Sequence, residues 1–147
     1  MPNDQMARLM KVLIVDDNRM LAESLALFVQ TLGYESVTLT QSALATEKFI
    51  EYRPDIVVLD VLMPVKDGIT VLDEMLQTGL PSRIILTSGV ADVQRRLALR
   101  WPAGVEKLPV TVLHKPYSLD ALVAALDHGA VPAEATAAVP GIDGPPT

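Results

Sequence analysis

The feature that most constrains the fold is a series of short, mostly apolar runs that lack the polar alternation of half-buried strands. The runs are Val12–Val15, Ser36–Leu39, Ile56–Leu59, Arg83–Thr87 and Val110–Leu113, of which Ser36–Leu39 is the weakest. Each predicts a β-strand that is covered on both faces. Such strands require helices on both sides of their sheet, which favours a parallel α/β fold.

Longer segments with helical spacing separate these runs. In Arg19–Leu32 the apolar residues recur every three or four positions, and Gly33 follows as a C-terminal stop. The other predicted helices are Ser42–Tyr52, Ile69–Leu76, Ala91–Arg100 and Ser118–Asp127, the last with Ser118 as its cap. Strand and helix thus alternate five times. Right-handed crossovers then predict a doubly wound, five-stranded parallel sheet with five helices.

The chain of 147 residues is long enough for one domain with a real core. We expect an N-terminal extension over residues 1–10 and an α/β domain over residues 11–128. Residues 129–147 are rich in Ala and Pro and have no periodic pattern, which predicts a flexible tail. Nothing after the fifth predicted helix suggests a second domain.

Composition excludes several classes of function. The chain contains no cysteine, which excludes disulfides, thiol catalysis and thiolate metal sites. The net charge is −6 and no basic tract is present, which argues against a nucleic-acid partner. The N-terminus does not resemble a signal peptide, and no apolar run has the length of a membrane span. We therefore expect a soluble, cytoplasmic protein with no membrane partner.

Polar residues follow four of the predicted strands at their carboxyl ends. They are Asp16 and Asp17 after the first strand, Asp60 after the third, Thr87 and Ser88 at the fourth, and Lys115 after the fifth. In an open parallel sheet these ends share one edge, where ligands bind. Three carboxylates at one edge repel each other unless a cation lies among them. Oxygen ligands without His or Cys nearby indicate Mg²⁺.

This set of side chains fits phosphoryl transfer to an aspartate. Asp60 is the predicted nucleophile, held by an apolar and therefore rigid strand. Lys115 offers a positive charge to a phosphate oxygen or to the acceptor carboxylate, and Thr87 offers a hydroxyl to a further oxygen. Each residue alone has an ordinary explanation as a cap or a loop residue. Their convergence at one edge favours the functional interpretation.

Four motifs, in this order, resemble the receiver domain of bacterial response regulators. VLIVDDNRM resembles the first strand with its acidic pair, and DIVVLDVLMPVKDG resembles the phosphoacceptor stretch. IILTSG resembles the fourth strand with its switch hydroxyl, and HKPYSLDALVAAL resembles the lysine-proline pair and the last helix. The resemblance runs from Lys11 to about Asp127. It implies a flavodoxin-like (βα)5 fold with strand order 2-1-3-4-5.

The resemblance also implies the chemistry of the acidic residues. Asp60 corresponds to the residue that a histidine kinase or a histidine phosphotransfer protein phosphorylates. Asp17 and Asp60 correspond to direct ligands of Mg²⁺, together with the backbone carbonyl of Leu62. Asp16 corresponds to a residue that acts on the metal largely through water.

Further roles are implied for the residues that follow the fourth and fifth strands. Lys115 corresponds to the partner of the acceptor carboxylate or phosphoryl group, and Thr87, with Ser88 beside it, to the phosphate-binding switch. The Lys115–Pro116 peptide bond is expected to be cis. Apolar Leu62 and Gly89 stand at positions where they cannot orient an attacking water, which predicts slow self-dephosphorylation.

Phosphorylation is expected to alter the face made by the fourth helix, the fifth strand and the fifth helix. Arg95, Val112 and Tyr117 are the residues predicted for this output face. Val112 stands where many receivers carry Tyr or Phe, which puts the rotating aromatic part of the switch in question. The arginines of the fourth helix are either recognition charges or an ordinary solvated surface.

We expect a stand-alone receiver that signals through phosphorylation-dependent binding of a protein target, as a monomer or a weak homodimer, and that is not an enzyme. One alternative is a receiver-shaped binding scaffold that is not phosphorylated. Another is an aspartyl-phosphate phosphatase, although Leu62 stands where such hydrolases usually carry a second acid. A flavodoxin-like cofactor carrier is disfavoured, because the acidic VDDN turn would repel a phosphate in the absence of metal.

Overall fold

The structure is a computed structural model that describes residues 9–127. Of the predicted extension over residues 1–10, only Leu9 and Met10 belong to the described part, and both are exposed. The predicted tail over residues 129–147 lies outside the described residues.

Five strands and five helices alternate along the chain. The strands are β1 Lys11–Val15, β2 Glu35–Leu39, β3 Ile56–Asp60, β4 Arg83–Ser88 and β5 Val110–His114. The helices are α1 Arg19–Thr31, α2 Ala45–Tyr52, α3 Gly68–Gln77, α4 Val93–Arg100 and α5 Leu119–Asp127. All strand pairs are parallel and the sheet order is β2-β1-β3-β4-β5. The predicted α/β class and strand order are confirmed.

Two predicted helices begin two or three residues later than the sequence pattern indicated. The segment predicted as a helix from Ser42 opens with a 3₁₀ turn, Ser42–Leu44, before α2 begins. The helix predicted from Ala91 begins at Val93, because Asp92 has φ −103° and ψ 21°, which lie outside the helical region. Element ends are set by a few local contacts, which apolar spacing does not report.

Both faces of the inner strands β1 and β3 are covered, as their apolar runs predicted, whereas the edge strand β2 is only partly buried. Alternate residues of β1 and β3 point to opposite sides. One buried cluster joins Leu13, Val15, Val57 and Leu59 to Phe49, Leu72, Met75, Val93 and Leu97 of α2, α3 and α4. The other joins Val12, Ile14, Ile56 and Val58 to Ala22, Leu25, Val29, Ala121 and Leu122 of α1 and α5. Among the described helices, none combines the length and the apolar character that a bilayer crossing would need.

The end of α5 is attached to the sheet through a side chain of β4. The Arg83 guanidinium donates to the carbonyl oxygens of Ala125 at 3.2 Å and Leu126 at 2.5 Å. Carbonyls in the last turn of a helix have no partner within the helix, and a cation is favoured at that negative end of the helix dipole. Arg83 therefore caps α5 from the neighbouring layer.

Candidate functional site

Three carboxylates meet at the carboxyl edge of the sheet, where β1 and β3 end. Asp16, Asp17 and Asp60 each offer one oxygen, and these oxygens all lie within 4.8 Å of one another. The side chains of Asp16 and Asp60 are buried, whereas Asp17 is exposed. The structure thus brings together the three acids that the strand ends predicted.

The turn between β1 and α1 orients Asp16. The backbone amide of Asp16 donates to the carbonyl of Leu39, and its Oδ1 accepts from the amide of Asn18 at 2.9 Å. Asn18 in turn caps α1, because its side-chain oxygen accepts from the amide of Leu21 at 3.1 Å. Burial raises the pKa of Asp16, the Asn18 amide lowers it, and the charge of Asp60 raises it further. The net result is a pKa above the ordinary value, which is typical of a carboxyl that is both desolvated and beside other acids.

Lys115 supplies the positive charge of the site. Its Nζ lies 3.0 Å from Oδ1 of Asp60 and 3.9 Å from Oδ2 of Asp16. The amide of Lys115 donates to the carbonyl of Ser88 at 2.7 Å, which keeps the chain beside β4 after β5 has ended. The Lys115–Pro116 peptide bond is cis. One ammonium therefore contacts two of the three carboxylates.

Thr87 and Ser88 end β4 beside the acidic cluster, with different surroundings. Thr87 is buried and is the register partner of Asp60 across β3 and β4. The hydroxyl of Ser88 accepts from the amide of Val90 at 2.8 Å, so it orders the start of the β4–α4 loop. The phosphate-binding role of Ser88 stays a prediction.

The loop after Asp60 returns closely onto the end of β3. The amide of Gly68 donates to the carbonyl of Val61 at 2.7 Å. A Cβ at Gly68 would lie 2.2 Å from the backbone oxygen of Asp60, so no other residue type fits there without a shift of the backbone. Leu62, whose carbonyl is the further predicted metal ligand, lies in this loop with its side chain 60% exposed.

The residues predicted for the output face lie in three different settings. Arg95 is exposed on α4, whereas Val112 is buried in the core cluster that contains residues of α2, α3 and α4. Val112 therefore lies beneath the face rather than on it. Tyr117 lines a groove with Leu21 and Leu25, and burial together with the charges of Asp16 and Asp60 raises its pKa to about 12.

Two of the three arginines on α4 are bound by α3. Arg96 pairs with Asp67 at 2.8 Å, and Arg100 pairs with Asp73. Asp67 also caps α3, because its other oxygen accepts from the amide of Thr70 at 2.9 Å. Arg95 is the one arginine of α4 for which the described part of the chain offers no ion pair. Arg96 and Arg100, predicted as recognition charges or as solvated surface, thus connect two helices instead.

The donor set fits Mg²⁺. It consists of carboxylate oxygens, the ligands that a small, hard cation prefers, and no His or Cys lies within the cluster. Two of the acids are buried and one is open to solvent. Three negative charges with one ammonium leave the cluster with excess negative charge, which a divalent cation would offset.

The chain is similar in sequence to known response regulators. A family model described as the response regulator receiver domain matches residues 12–127. The chain is 36% identical to the response regulator MprA of Mycobacterium sp. (strain KMS) over 115 residues, which are 78% of this chain and 47% of that protein. The chain spans about half the length of the curated MprA relatives that it matches.

Solved structures of similar fold come from several bacteria. The response regulator TrrA of Thermotoga maritima, solved in complex with Mg²⁺ and BeF, has a TM-score of 0.69 and 25% identity and covers 80% of this chain and 96% of its own. The chemotaxis protein CheY4 of Vibrio cholerae has a TM-score of 0.69 and 23% identity and covers 81% of this chain and 97% of its own. At 23% identity, the likeness to CheY4 shows a shared fold and nothing more.

Proposed function

The chain belongs to the response regulator receiver domain family, and on that premise we propose that it accepts a phosphoryl group on Asp60. The observation that carries the proposal is the contact of 3.0 Å between Nζ of Lys115 and Oδ1 of Asp60, within a cluster of two further carboxylates. A carboxylate presented at a strand end, paired with an ammonium, has the charge balance that a phosphoacceptor needs.

The proposed donor is the phosphohistidine of a histidine kinase or of a histidine phosphotransfer protein. A carboxylate oxygen of Asp60 forms a bond to phosphorus while the bond between phosphorus and the imidazole nitrogen breaks. The electron pair of the broken bond stays on the imidazole, which takes up a proton. The product is an acyl phosphate on Asp60 and a neutral histidine on the donor.

The residues around Asp60 have separate roles in this proposal. Asp17, Asp60 and the backbone carbonyl of Leu62 would hold Mg²⁺ directly, with Asp16 acting largely through water, and the ion would supply positive charge to offset the carboxylates and the phosphoryl oxygens. Lys115 moves its interaction from the carboxylate to the phosphoryl group. The hydroxyl of Thr87, buried one strand away in register with Asp60, donates to a phosphoryl oxygen.

The proposed output is phosphorylation-dependent binding of a protein target. Thr87 lies in β4 beside β5, and the β4–α4 loop begins after the next residue, Ser88. A change at Thr87 therefore acts first on α4 and β5, the elements of the predicted output face. That the receiver works without an attached output domain stays a prediction.

We further propose that the phosphoryl group is long-lived and that the protein is not a phosphatase. The side chain of Leu62 is apolar and Gly89 has none, so neither can act as a base or orient water toward the phosphorus. An aspartyl-phosphate phosphatase would need such a group close to Asp60. Its activity would appear as rapid loss of the phosphoryl group without a partner protein.

The experiment is intact-mass measurement after incubation with acetyl phosphate and Mg²⁺. We expect one added phosphoryl group in the wild type, no addition after chelation of the metal, and no addition in Asp60→Asn. Asp92→Asn is the matched control, because Asp92 is exposed and lies outside the acidic cluster; it should label like the wild type. A wild type that stays unlabelled where another receiver labels would support the unphosphorylated scaffold instead.

A further inference from the structure

The hydroxyl of Ser42 contacts the loop after Asp60 at two points. It donates to the carbonyl of Pro64 at 2.5 Å and accepts from the amide of Lys66 at 3.1 Å. Ser42 stands at the start of the 3₁₀ turn before α2 and is only 4% exposed. One buried side chain from a distant part of the chain therefore binds the backbone on both sides of Val65.

The backbone at Val65 is strained. The amide of Lys66 donates to the carbonyl of Pro64 at 2.9 Å, which closes a three-residue γ-turn around Val65, with φ 73°. A γ-turn with positive φ is rare and strained, and a positive φ is especially unfavourable for a β-branched residue. Val65 is 87% exposed, so packing of its own side chain cannot offset the strain. Such a conformation persists only where neighbouring groups hold it.

A second set of contacts fixes the end of the same loop. The ammonium of Lys66 lies within hydrogen-bond distance of both carboxylate oxygens of Glu74, at 3.0 and 2.9 Å. The hydroxyl of Thr46 donates to Glu74 at 2.6 Å. Glu74 of α3 therefore holds Lys66 and is itself bound by Thr46 of α2, while Ser42 alone among the described side chains is seen to bind the turn itself.

We propose that Ser42 is a positioning residue for the magnesium site. Its hydroxyl holds the strained turn at Pro64, and Met63 beside that turn is buried, so the backbone of Leu62 is held between two fixed points, Asp60 and Met63. The carbonyl of Leu62 is thereby fixed relative to the carboxylate of Asp60. This inference rests on the proposed function, in which that carbonyl is a metal ligand.

The test is the affinity for Mg²⁺ of Ser42→Ala, measured by calorimetric titration and by amide chemical shifts. Loss of a group that orients a metal ligand typically weakens binding about tenfold or more, and we expect a loss of that size. At saturating Mg²⁺, phosphorylation of Ser42→Ala by acetyl phosphate should return toward the wild-type rate. Thr46→Val is the matched control: it removes a nearby hydroxyl bond to Glu74 without touching the turn, and its Mg²⁺ affinity should stay unchanged.

Two further variants make the result decisive. Val65→Gly removes the strain, so in the Ser42→Ala background it should restore much of the lost Mg²⁺ affinity. Ser42→Cys is nearly isosteric with a weaker donor and serves where Ser42→Ala does not fold; it too should weaken Mg²⁺ binding. Folded Ser42 variants with wild-type Mg²⁺ affinity would overturn the inference. A wild type that neither binds Mg²⁺ nor accepts a phosphoryl group would instead overturn the proposed function.

Discussion

The ammonium of Lys115 lies 3.0 Å from Oδ1 of Asp60, although the two residues are 55 positions apart in sequence. The same ammonium lies 3.9 Å from Asp16, so it offsets charge on both buried acids. A buried carboxylate that loses its partner is costly, because its desolvated charge is left without a compensating interaction. Lys115 therefore stabilises the site before any phosphoryl group arrives.

Lys115→Met should lower the free energy of unfolding by about 2 kcal/mol at neutral pH without divalent cations, a value reduced for the partial exposure of the lysine. Saturating Mg²⁺ should recover part of the loss, since it offsets the same carboxylates. Urea unfolding with and without Mg²⁺ measures both effects. Lys48→Met is the control, because Lys48 pairs only at the surface with Glu51 and should change stability little. Equal losses in the two variants would contradict the prediction.

Asp16→Asn should raise stability at neutral pH by an amount on the order of 1 kcal/mol, because it removes one of three neighbouring negative charges and keeps an acceptor for Asn18. Burial, opposed by the Asn18 amide and reinforced by Asp60, raises the pKa of Asp16 in the folded state. The ionised form is therefore penalised on folding at neutral pH. This penalty fades as the pH falls through the raised pKa toward the unfolded value of 3.8.

The advantage of Asp16→Asn over the wild type should accordingly shrink across that acidic range. Chemical denaturation at a series of pH values, in the absence of divalent cations, provides the measurement. Asp92→Asn serves as the control, since Asp92 is exposed and outside the cluster. A gain for Asp16→Asn that stays constant as the pH falls would count against a penalty on ionised Asp16.

Gly68→Ala should destabilise the protein by about 3 kcal/mol, because the new Cβ would overlap the backbone oxygen of Asp60. The displaced backbone should also slow phosphorylation by acetyl phosphate. Gly89→Ala is the matched control: its Cβ would lie 3.9 Å from Cβ of Lys115, an ordinary contact. Thermal unfolding of the two variants tests this prediction. Similar melting temperatures would show that a Cβ at Gly68 does not destabilise the protein.

The ion pair between Asp67 and Arg96 and the helix cap that Asp67 provides should make separate contributions to stability. Asp67→Asn keeps a capping oxygen for Thr70 and should cost about 1 kcal/mol, whereas Asp67→Ala loses both interactions and should cost about 2 kcal/mol. Combined with Arg96→Met, Asp67→Asn should add almost no further loss. A double-mutant cycle measured by urea unfolding tests this, and full additivity would refute the pairing.

The stabilisation that Asp67 provides should also depend on pH. Burial raises the pKa of Asp67, but the Thr70 amide and the Arg96 guanidinium outweigh it and hold the pKa below its ordinary value of 3.8. Because the folded-state pKa is the lower one, the stabilisation is present above that ordinary value and is lost as the pH falls through the folded pKa. Asp67→Asn should therefore lose less stability than the wild type in that acidic range.

Val65→Asn should raise stability by about 1 kcal/mol, because Asn tolerates a positive φ better than a β-branched residue does. Val65→Ile keeps the β-branch and should bring no gain. Comparison of the two by chemical denaturation isolates the backbone effect from the exposed side chain. Equal stability of the Asn and Ile variants would argue that the turn at Val65 carries no strain.

The meeting of the site residues could be predicted from the sequence because parallel strands end at the same edge. Asp60 and Thr87, for example, were predicted to share one edge of the sheet, and the structure makes them register partners. The basic residues of α4 have partners that the sequence pattern does not show. Its spacing reports which residues share a helix face, but not that α3 offers Asp67 and Asp73 to that face.

The role of Ser42 could not be predicted from the sequence at all. Its partners lie 22 and 24 residues away in a loop that has no periodic pattern. As the first residue of a predicted helix, Ser42 has an ordinary local explanation as a cap. Only the tertiary arrangement brings its hydroxyl against the strained backbone at Val65. The positive φ of Val65 could not be predicted either, because β-branched residues rarely adopt it.

The guanidinium of Arg83 has a mechanical consequence. It joins the last carbonyls of α5 to an interior strand of the sheet, so a pulling force applied at Asp127 would load β4 as well as the helix. Without that attachment, α5 could peel away one turn at a time from its end. With it, the helix and the sheet resist as one body, and tension at this end of α5 is carried into the strand that ends beside the acidic cluster.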